Sequence, residues 1–335
     1  MRSKETTTTR SSLPEFIEQG IKDLNIPGVP NNLYRPITYT LELGGKRIRP
    51  YLVLLGCGLC GGDPREAIHA AMAIELVHNF TLIHDDIMDE AETRRGKTSV
   101  YRKWDSATAI LSGDAMFALA IEQIQHYGEN DAVDKRQYHA LHQCFIRSVR
   151  RICEGQMLDL DFADQSNVSL SEYEEMIGAK TGALLSCALQ MGGIVAGADN
   201  PVIDRLGKIG LEAGIAFQIQ DDLLDVVADF DKFGKKIGGD IREGKKTYLA
   251  LLAMEYANEQ GCKTLSRILN KKEEKIDDEI EWVISYYEKS GVIDESKKAI
   301  RYHYENALDG LRSFEDSGYL TEIRHLLQKL ITREF

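Results

Sequence analysis

The sequence predicts an all-α protein, on three grounds. Its 335 residues include only seven prolines, and the stretches between them are rich in Ala, Leu, Ile, Glu and Lys, which favour helix. Period-two alternation of apolar and polar residues, the mark of a half-buried strand, is hard to find. Several segments also open with a helix-start pattern, a side-chain acceptor followed by Pro or by Glu three residues on.

Taken in order, Met1 to Ser12 is polar and Thr-rich, with no apolar run, and reads as a loose tail. Gly61-Gly62 ends one helix, and Asp63-Pro64-Arg65-Glu66 opens the next with an N-cap, a first-turn Pro and a Glu placed to reach back. That helix runs through Ala70, Ile74, Val77 and Leu82 to about Glu90. Glu92 to Ser99 is a polar loop, after which Asp105 or Ser106 caps a helix containing Gly113-Asp114. Further helices are expected from Val133 to Phe162 and, opened by Ser169-Leu-Ser-Glu172, from Leu170 to about Gly192. Asn200-Pro201 opens a helix that reaches Val227 and is followed by a basic loop, Asp231 to Lys246. Beyond Thr247 come shorter amphipathic helices. No Ser/Gly/Pro-rich linker interrupts the chain, so residues 13–335 are expected to form a single helical domain.

Composition narrows the function. A hydrophobic content of 43% is enough for a sizeable core. The formal charge of −12, with 53 acidic residues against 41 Lys and Arg, argues against a nucleic-acid partner. Six cysteines at irregular spacing, in a chain that reads as lacking a signal peptide, point to a reducing, cytoplasmic compartment. Cys57-Gly-Leu-Cys60 has no second pair to match it and reads as core. The most apolar stretch, Ala183 to Ala198, is broken by Gln190 and Gly192-Gly193 and is short for a bilayer span, so no transmembrane segment is expected.

Two acidic clusters carry the chemistry. Asp85-Asp86-Ile87-Met88-Asp89 and Asp221-Asp222-Leu223-Leu224-Asp225 each set three carboxylates in an apolar helical stretch, near the helix C-terminal end and just before a basic loop. Asp is a poor interior helix former, and burying carboxylates is costly without cations. Positions i and i+4 share a face, so Asp85 pairs with Asp89 and Asp221 with Asp225, while Asp86 and Asp222 turn aside by about 100°. Two such helices facing each other make a cage for hard, oxygen-seeking ions. Mg²⁺ takes one or two carboxylates and completes its shell with water and phosphate oxygens, which suggests a diphosphate held between metal ions and the basic loops. One such cluster alone is as readily a solvated acidic face; two, each with a basic loop, are not.

Around these clusters stand Gly44-Gly-Lys-Arg-Ile-Arg-Pro50, Leu82-Ile-His-Asp-Asp-Ile-Met-Asp89 with Arg94-Arg95-Gly96, and Gly155-Gln156 with Asp159. Lys180-Thr181-Gly182, Phe217-Gln218-Ile-Gln-Asp-Asp-Leu-Leu-Asp225 and Gly238-Gly-Asp240 complete the series. In this order they closely resemble the trans-isoprenyl diphosphate synthases, or polyprenyl synthetases. The resemblance implies an all-α bundle around a central cavity (the isoprenoid synthase fold), and Mg²⁺-dependent head-to-tail (1'-4) condensation of isopentenyl diphosphate with allylic diphosphates. It implies three Mg²⁺ ions on Asp85, Asp89 and Asp221, with Asp225 in support. Lys46, Arg49, His78 and Arg95 match positions for isopentenyl diphosphate, and Arg94, Lys180, Lys236 and Lys245 those for the allylic diphosphate. Thr181 and Gln218 match residues whose oxygens face the cationic carbon. A homodimer is also implied.

Product length is expected to depend on Phe80 and Thr81, one helical turn before the first cluster. In the family a bulky aromatic five positions before the first aspartate stops elongation, and a second one four positions before shortens it further. A bulky Phe80 with a small Thr81, and no insertion in the first cluster, leans to the twenty-carbon geranylgeranyl diphosphate. Farnesyl or longer products are the alternatives. A terpene cyclase would carry a different second metal motif, a metal phosphohydrolase would leave the second cluster and Arg94-Arg95 unexplained, and a non-catalytic synthase subunit would lack parts of the clusters.

Overall fold

The computed structural model describes residues 13–129, 133–165, 167–227, 238–269 and 276–332. The tail expected at residues 1–12, Lys236 and the first part of the expected Asp231 to Lys246 loop lie outside them.

The helices follow the capping signals closely. In chain order they are α1 (Leu13–Lys22), α2 (Asn31–Glu42), α3 (Ile48–Leu59), α4 (Ile68–Met88), α5 (Val100–Lys103), α6 (Ser106–Glu129), α7 (Lys135–Asp164), α8 (Leu170–Ile177), α9 (Ala183–Val195) and α10 (Asn200–Val227). Then come α11 (Gly239–Glu243), α12 (Tyr248–Tyr256), α13 (Glu259–Ile268), α14 (Asp277–Lys289), α15 (Val292–Leu311) and α16 (Gly318–Thr332). Asp105 caps α6 by accepting from Thr108 N at 2.7 Å. Ser169 and Glu172 form the expected reciprocal capping box on α8.

Three local readings need correction. Asp63 accepts from Arg65 N at 3.0 Å, and the turn it opens, Pro64–Ala67, is 3₁₀ rather than α, so α4 begins at Ile68. The loop Glu92 to Ser99 contains a two-residue antiparallel pair, β1 (Thr93–Arg94) and β2 (Lys97–Thr98), with Thr93 opposite Thr98 and Arg94 opposite Lys97. Between α8 and α9, Gly178–Gly182 is a π turn, so the run expected to be one α-helix carries a local change of phase.

The chain divides into two compact units. The first takes in the described residues within Met1–Val149, Leu184–Gly207 and Phe314–Ile323, and the second those within Arg150–Ala183, Lys208–Ser313 and Arg324–Phe335. In the first unit α4 packs along α6 and beside α3. Its segment Ala70–Val77 is buried at every position, so this stretch is an interior helix rather than an amphipathic one. Burying Ile74, Leu76 and Val77 stabilises the fold by about 1.5–3 kcal/mol each. α3 and α9 meet backbone to backbone: a Cβ on Gly192 would lie 2.2 Å from Val53 O, and one on Gly56 2.8 Å from Leu189 O. Only glycine permits that approach.

α6 is long and apolar enough to cross a membrane by length and composition, which the sequence reading did not pick out. It carries Asp114 and Glu122, and its Ala109, Met116, Ala120 and Ile124 are fully buried in the first unit. The core helix of a folded domain passes the same test.

The second unit builds its core from α8, α10, α12, α14 and α15. Tyr173, Ile177, Ile219, Leu223, Leu249, Val283, Tyr287 and Ile300 form one buried cluster.

Candidate active site

The first acidic cluster closes α4. Apolar residues run to Ile83, and the acids follow where the last carbonyls of the helix concentrate negative charge, which favours cations there. Asp89 is the C-cap, its N–H donating to Asp85 O at 2.8 Å. Asp85 is half-buried and Asp89 exposed, whereas Asp86 is buried and accepts from Arg94 Nε and Nη2 at 2.8 and 2.5 Å. Burial raises the Asp86 carboxyl above the usual carboxylate range, against the opposing pull of Arg94. The middle acid is thus withdrawn from the other two.

Arg94 reaches Asp86 because β1 and β2 turn through Arg95 and Gly96, with φ of 52° and 74°. Both central residues of this two-residue turn have positive φ, as a type I′ hairpin requires, and Asn or Asp normally fills the first place. Only three non-glycine residues with positive φ occur among the described residues: Arg47, Glu90 and Arg95. All three lie in the first unit, Arg47 just before α3 and Glu90 and Arg95 in the segment after α4.

Arg49, His78 and Arg95 come together in this unit. Arg49 Nη1 lies 3.2 Å from His78 Nε2. Burial, then Arg49, Arg95, Arg94 and Arg47, push the imidazole well below its ordinary range, so His78 is neutral near pH 7. A neutral ring accepts at Nε2 from Arg49 and keeps its proton on Nδ1. Burial also pulls Arg49 down to about 10, Glu75 opposing and Arg95 assisting, and its Nε is buried without a hydrogen-bond partner. The Arg95 guanidinium donates to Gly44 O and is likewise lowered, first by burial. The balancing acid is Glu75, 2% exposed, which Arg47 Nη1 already engages at 2.6 Å and Asn79 Nδ2 at 2.9 Å. The pocket therefore keeps positive charge in excess. Lys46, at the neighbouring loop, is exposed.

One turn before the acids, Phe80 packs edge-on to His84 at 4.9 Å and lies 5.8 Å from the Phe117 ring of α6, which stacks 6.3 Å from Phe145 of α7. Thr81 donates to His78 O at 2.8 Å. His84 lies close over Gly113, where a Cβ would come within 2.3 Å of Nε2.

The second cluster lies toward the end of α10, in the second unit. Asp221 is exposed, and Asp225 is half-buried and accepts from Asp240 N at 2.9 Å. Asp222 is 4% exposed and accepts from Tyr173 OH, from Tyr248 N at 2.9 Å and from Gln218 Nε2 at 3.4 Å. Burial pushes its carboxyl up to about 7, with Tyr173 and Tyr248 pulling the other way. Asp240 rises to about 6 through burial and the neighbouring Asp225, opposed by Lys245. Thr181 Oγ1 donates to Gln218 Oε1 at 3.0 Å, and Lys180 Nζ to Asp159 Oδ2 at 2.6 Å. Lys245 Nζ sits 2.7 Å from Glu243 and 3.5 Å from Asp240. The π turn carries Lys180 and Thr181, and a Cβ on Gly155 would come within 2.4 Å of Lys180 N, so α7 presses on the backbone there.

A family profile described as Polyprenyl synthetase matches residues 30–287. The chain belongs to this family. A short chain isoprenyl diphosphate synthase of Methanothermobacter thermautotrophicus is 37% identical over 320 residues, 96% of this chain and 95% of that one. A geranylgeranyl pyrophosphate synthase of Geoglobus acetivorans is 37% identical, covering 96% of this chain and 97% of its own length. The crystal structure of geranylgeranyl pyrophosphate synthetase from Pyrococcus horikoshii Ot3 superposes with a TM-score of 0.89 at 38% identity, over 96% of each chain. As a polyprenyl synthetase with the all-α isoprenoid synthase fold, the chain is a prenyltransferase.

In this polyprenyl synthetase the acids suit hard cations. No three His, Cys, Asp or Glu side chains form a ready-made metal group among the described residues. Withdrawal of Asp86 and Asp222 leaves two carboxylates per cluster at the surface or half-buried, the number Mg²⁺ takes when phosphate and water complete its shell. The sequence reading passed over the synthetase's supporting residues Glu75, Tyr173 and Tyr248. A lone Glu75 inside the apolar run Ala73-Ile-Glu-Leu-Val77 was a signal, since buried Glu is rare unless paired. Tyr173 gave none, lying 49 residues from the Asp222 it binds.

Proposed function

We propose that the chain condenses isopentenyl diphosphate with allylic diphosphates, head to tail, and that its main product is geranylgeranyl diphosphate. The observation that carries this reading is the surplus of guanidinium at half-buried Arg49 and the neighbouring Arg95 beside a neutral His78. Such a pocket favours a multiply charged anion, and planar guanidinium groups suit phosphate oxygens. It belongs to the same unit as the acid pair Asp85 and Asp89, so one unit offers both an anion site and a cation site.

In this reading Asp85, Asp89 and Asp221 hold Mg²⁺, three ions in all, with Asp225 in support. When bound, Mg²⁺ supplies positive charge to the departing diphosphate. Arg94, Lys180, Lys245 and Lys236 bind the allylic diphosphate, and Lys46, Arg49, His78 and Arg95 orient isopentenyl diphosphate. The allylic C–O bond breaks, and the isopentenyl double bond attacks the resulting cation. The new C–C bond forms, and the released pyrophosphate takes the proton. Thr181 and Gln218 turn oxygen lone pairs to the cationic carbon, an electrostatic contribution set before the charge appears. Water exclusion protects the cation.

Phe80, backed by Phe117, supports a floor that stops growth at twenty carbons, in line with the relatives named geranylgeranyl diphosphate synthase, while others are named for the longer geranylfarnesyl diphosphate. A homodimer is part of the same reading, on the resemblance to the family alone. Six free thiols support a cytoplasmic setting. The test is an assay with Mg²⁺, labelled isopentenyl diphosphate and allylic diphosphates of increasing length, products being separated by chromatography. Geranylgeranyl diphosphate is expected; turnover of the allylic substrate without isopentenyl incorporation would refute the reading.

A further inference from the structure

We infer that Asp222 is a positioning residue that acts on the reaction through Gln218: its buried carboxylate fixes the Gln218 amide with the carbonyl oxygen turned to Thr181. This rests on the prenyl-transfer reading above and adds a role for an acid left out of the metal set.

The inference comes from the direction of the hydrogen bonds. Thr181 Oγ1 donates to Gln218 Oε1 at 3.0 Å, and Gln218 Nε2 donates to Asp222 Oδ1 at 3.4 Å. Tyr173 OH and Tyr248 N both donate to the other oxygen, Asp222 Oδ2. Every donor in the chain thus points inward to Asp222. In each of these contacts Asp222 is the acceptor, with two donors on Oδ2 and Gln218 Nε2 on Oδ1, so it meets the NH₂ end of the amide rather than the carbonyl end. That removes the ambiguity of an amide that otherwise flips freely between two chemically opposite faces. The hydroxyl of Thr181 uses its proton on Gln218, which leaves its own lone pairs for a positive charge. Reversal of the amide would place an NH₂ group, a donor with partial positive charge, beside a developing cation.

The geometry is local and built. Gln218 and Asp222 stand at i and i+4 on α10, so one helical face sets their spacing. Asp222 is 4% exposed and Tyr173 3%, so neither swings to another partner in water. The same plan appears in the first cluster, where the middle acid Asp86 faces inward and grips Arg94. In both clusters the middle acid orients a neighbouring polar side chain instead of joining the outer pair.

The test is a double-mutant cycle on the full chain with Mg²⁺, isopentenyl diphosphate and a short allylic diphosphate. Asp222→Asn is expected to lower kcat about 10–100-fold, the usual cost of removing such an orienting partner, with KM for both substrates changed less than about twofold. Gln218→Leu should lower kcat to a similar degree, and the double variant should be no slower than Gln218→Leu alone. Effects that multiply, an unchanged kcat in Asp222→Asn, or a raised Mg²⁺ requirement with kcat restored at high Mg²⁺ would overturn the proposal. If Asp222→Asn does not fold, by circular dichroism, Tyr173→Phe decides the matter. It keeps the carboxylate, and should slow the wild-type background but not the Gln218→Leu background; equal slowing in both overturns it. A wild-type chain that incorporates no isopentenyl diphosphate refutes the underlying reading, whereas an active wild type with multiplicative variants refutes only this inference.

Discussion

Arg94 donates from Nε and Nη2 to one oxygen of Asp86, at 2.8 and 2.5 Å, and so ties the hairpin after α4 to the helix that carries the acids. Asp86→Ala is expected to destabilise the protein by about 2 kcal/mol. Breaking a fully buried pair costs more, roughly 3–5 kcal/mol, but the Arg94 side chain is 33% exposed and water screens it. Asp86→Asn, which keeps an acceptor, should cost less. Urea unfolding of the three proteins checks the order, and identical midpoints would remove the pair from the stability of the fold.

Asp85→Ala and Asp221→Ala should each reduce turnover by a factor of about 10³ or more, because each removes a cation ligand that acts on the developing charge. Folding should survive, since Asp85 is half-buried and Asp221 exposed. Thermal melts alongside the prenyl transfer assay separate the two effects. Activity within about tenfold of wild type, for a folded variant, would sink the metal assignment.

Phe80→Ala should lengthen the product. Phe117 lies 5.8 Å behind Phe80 and is itself stacked on Phe145, so growth is expected to stop again soon after the first ring is removed. Phe80→Ala with Phe117→Ala should then extend the chain further. Chromatography of labelled products reads both variants; unchanged length in the single variant would remove Phe80 from the floor.

Stability should fall on the alkaline side of neutrality. Burial alone lowers His303, but Glu174, 3.9 Å from Nε2, and Glu212, 2.7 Å from Nδ1, outweigh it and raise the imidazole to about 9. The folded state therefore binds the proton more tightly than the unfolded chain, whose value is 6.5. This contribution is complete below about pH 6.5 and is lost as pH rises toward 9. His303→Gln should flatten the decline in urea midpoint across that window. An equal slope in both proteins would count against the ion pair.

The sequence made most helix starts legible because caps are local chemistry: Asp105 and Ser169 announce their helices without help from the rest of the chain, while Asn200-Pro201 marks a start whose cap is Asp199, accepting from Val202 N at 3.0 Å. The acid clusters were legible for a related reason, being costly residues in apolar surroundings. What stayed hidden depends on contacts distant in sequence. Nothing near Asp222 announces Tyr173, and nothing near Arg49 announces the Glu75 that partly balances it. The 3₁₀ turn at Pro64 and the π turn at Lys180 were hidden for another reason, since both are small departures from the period by which helices are recognised.

The π turn has a consequence for how the helical run from Leu170 to Val195 is used. An undisturbed helix repeats the same stripe along its whole length, whereas one extra residue in a turn rotates everything after it by about 100°. The chain passes from the second unit to the first directly after this turn, between Ala183 and Leu184. The turn shifts the phase of the run, with Tyr173 and Ile177 buried before it and Leu184 and Ala188 buried after it. Deleting a single residue there would leave the helix intact while putting its two halves out of step with their own neighbours.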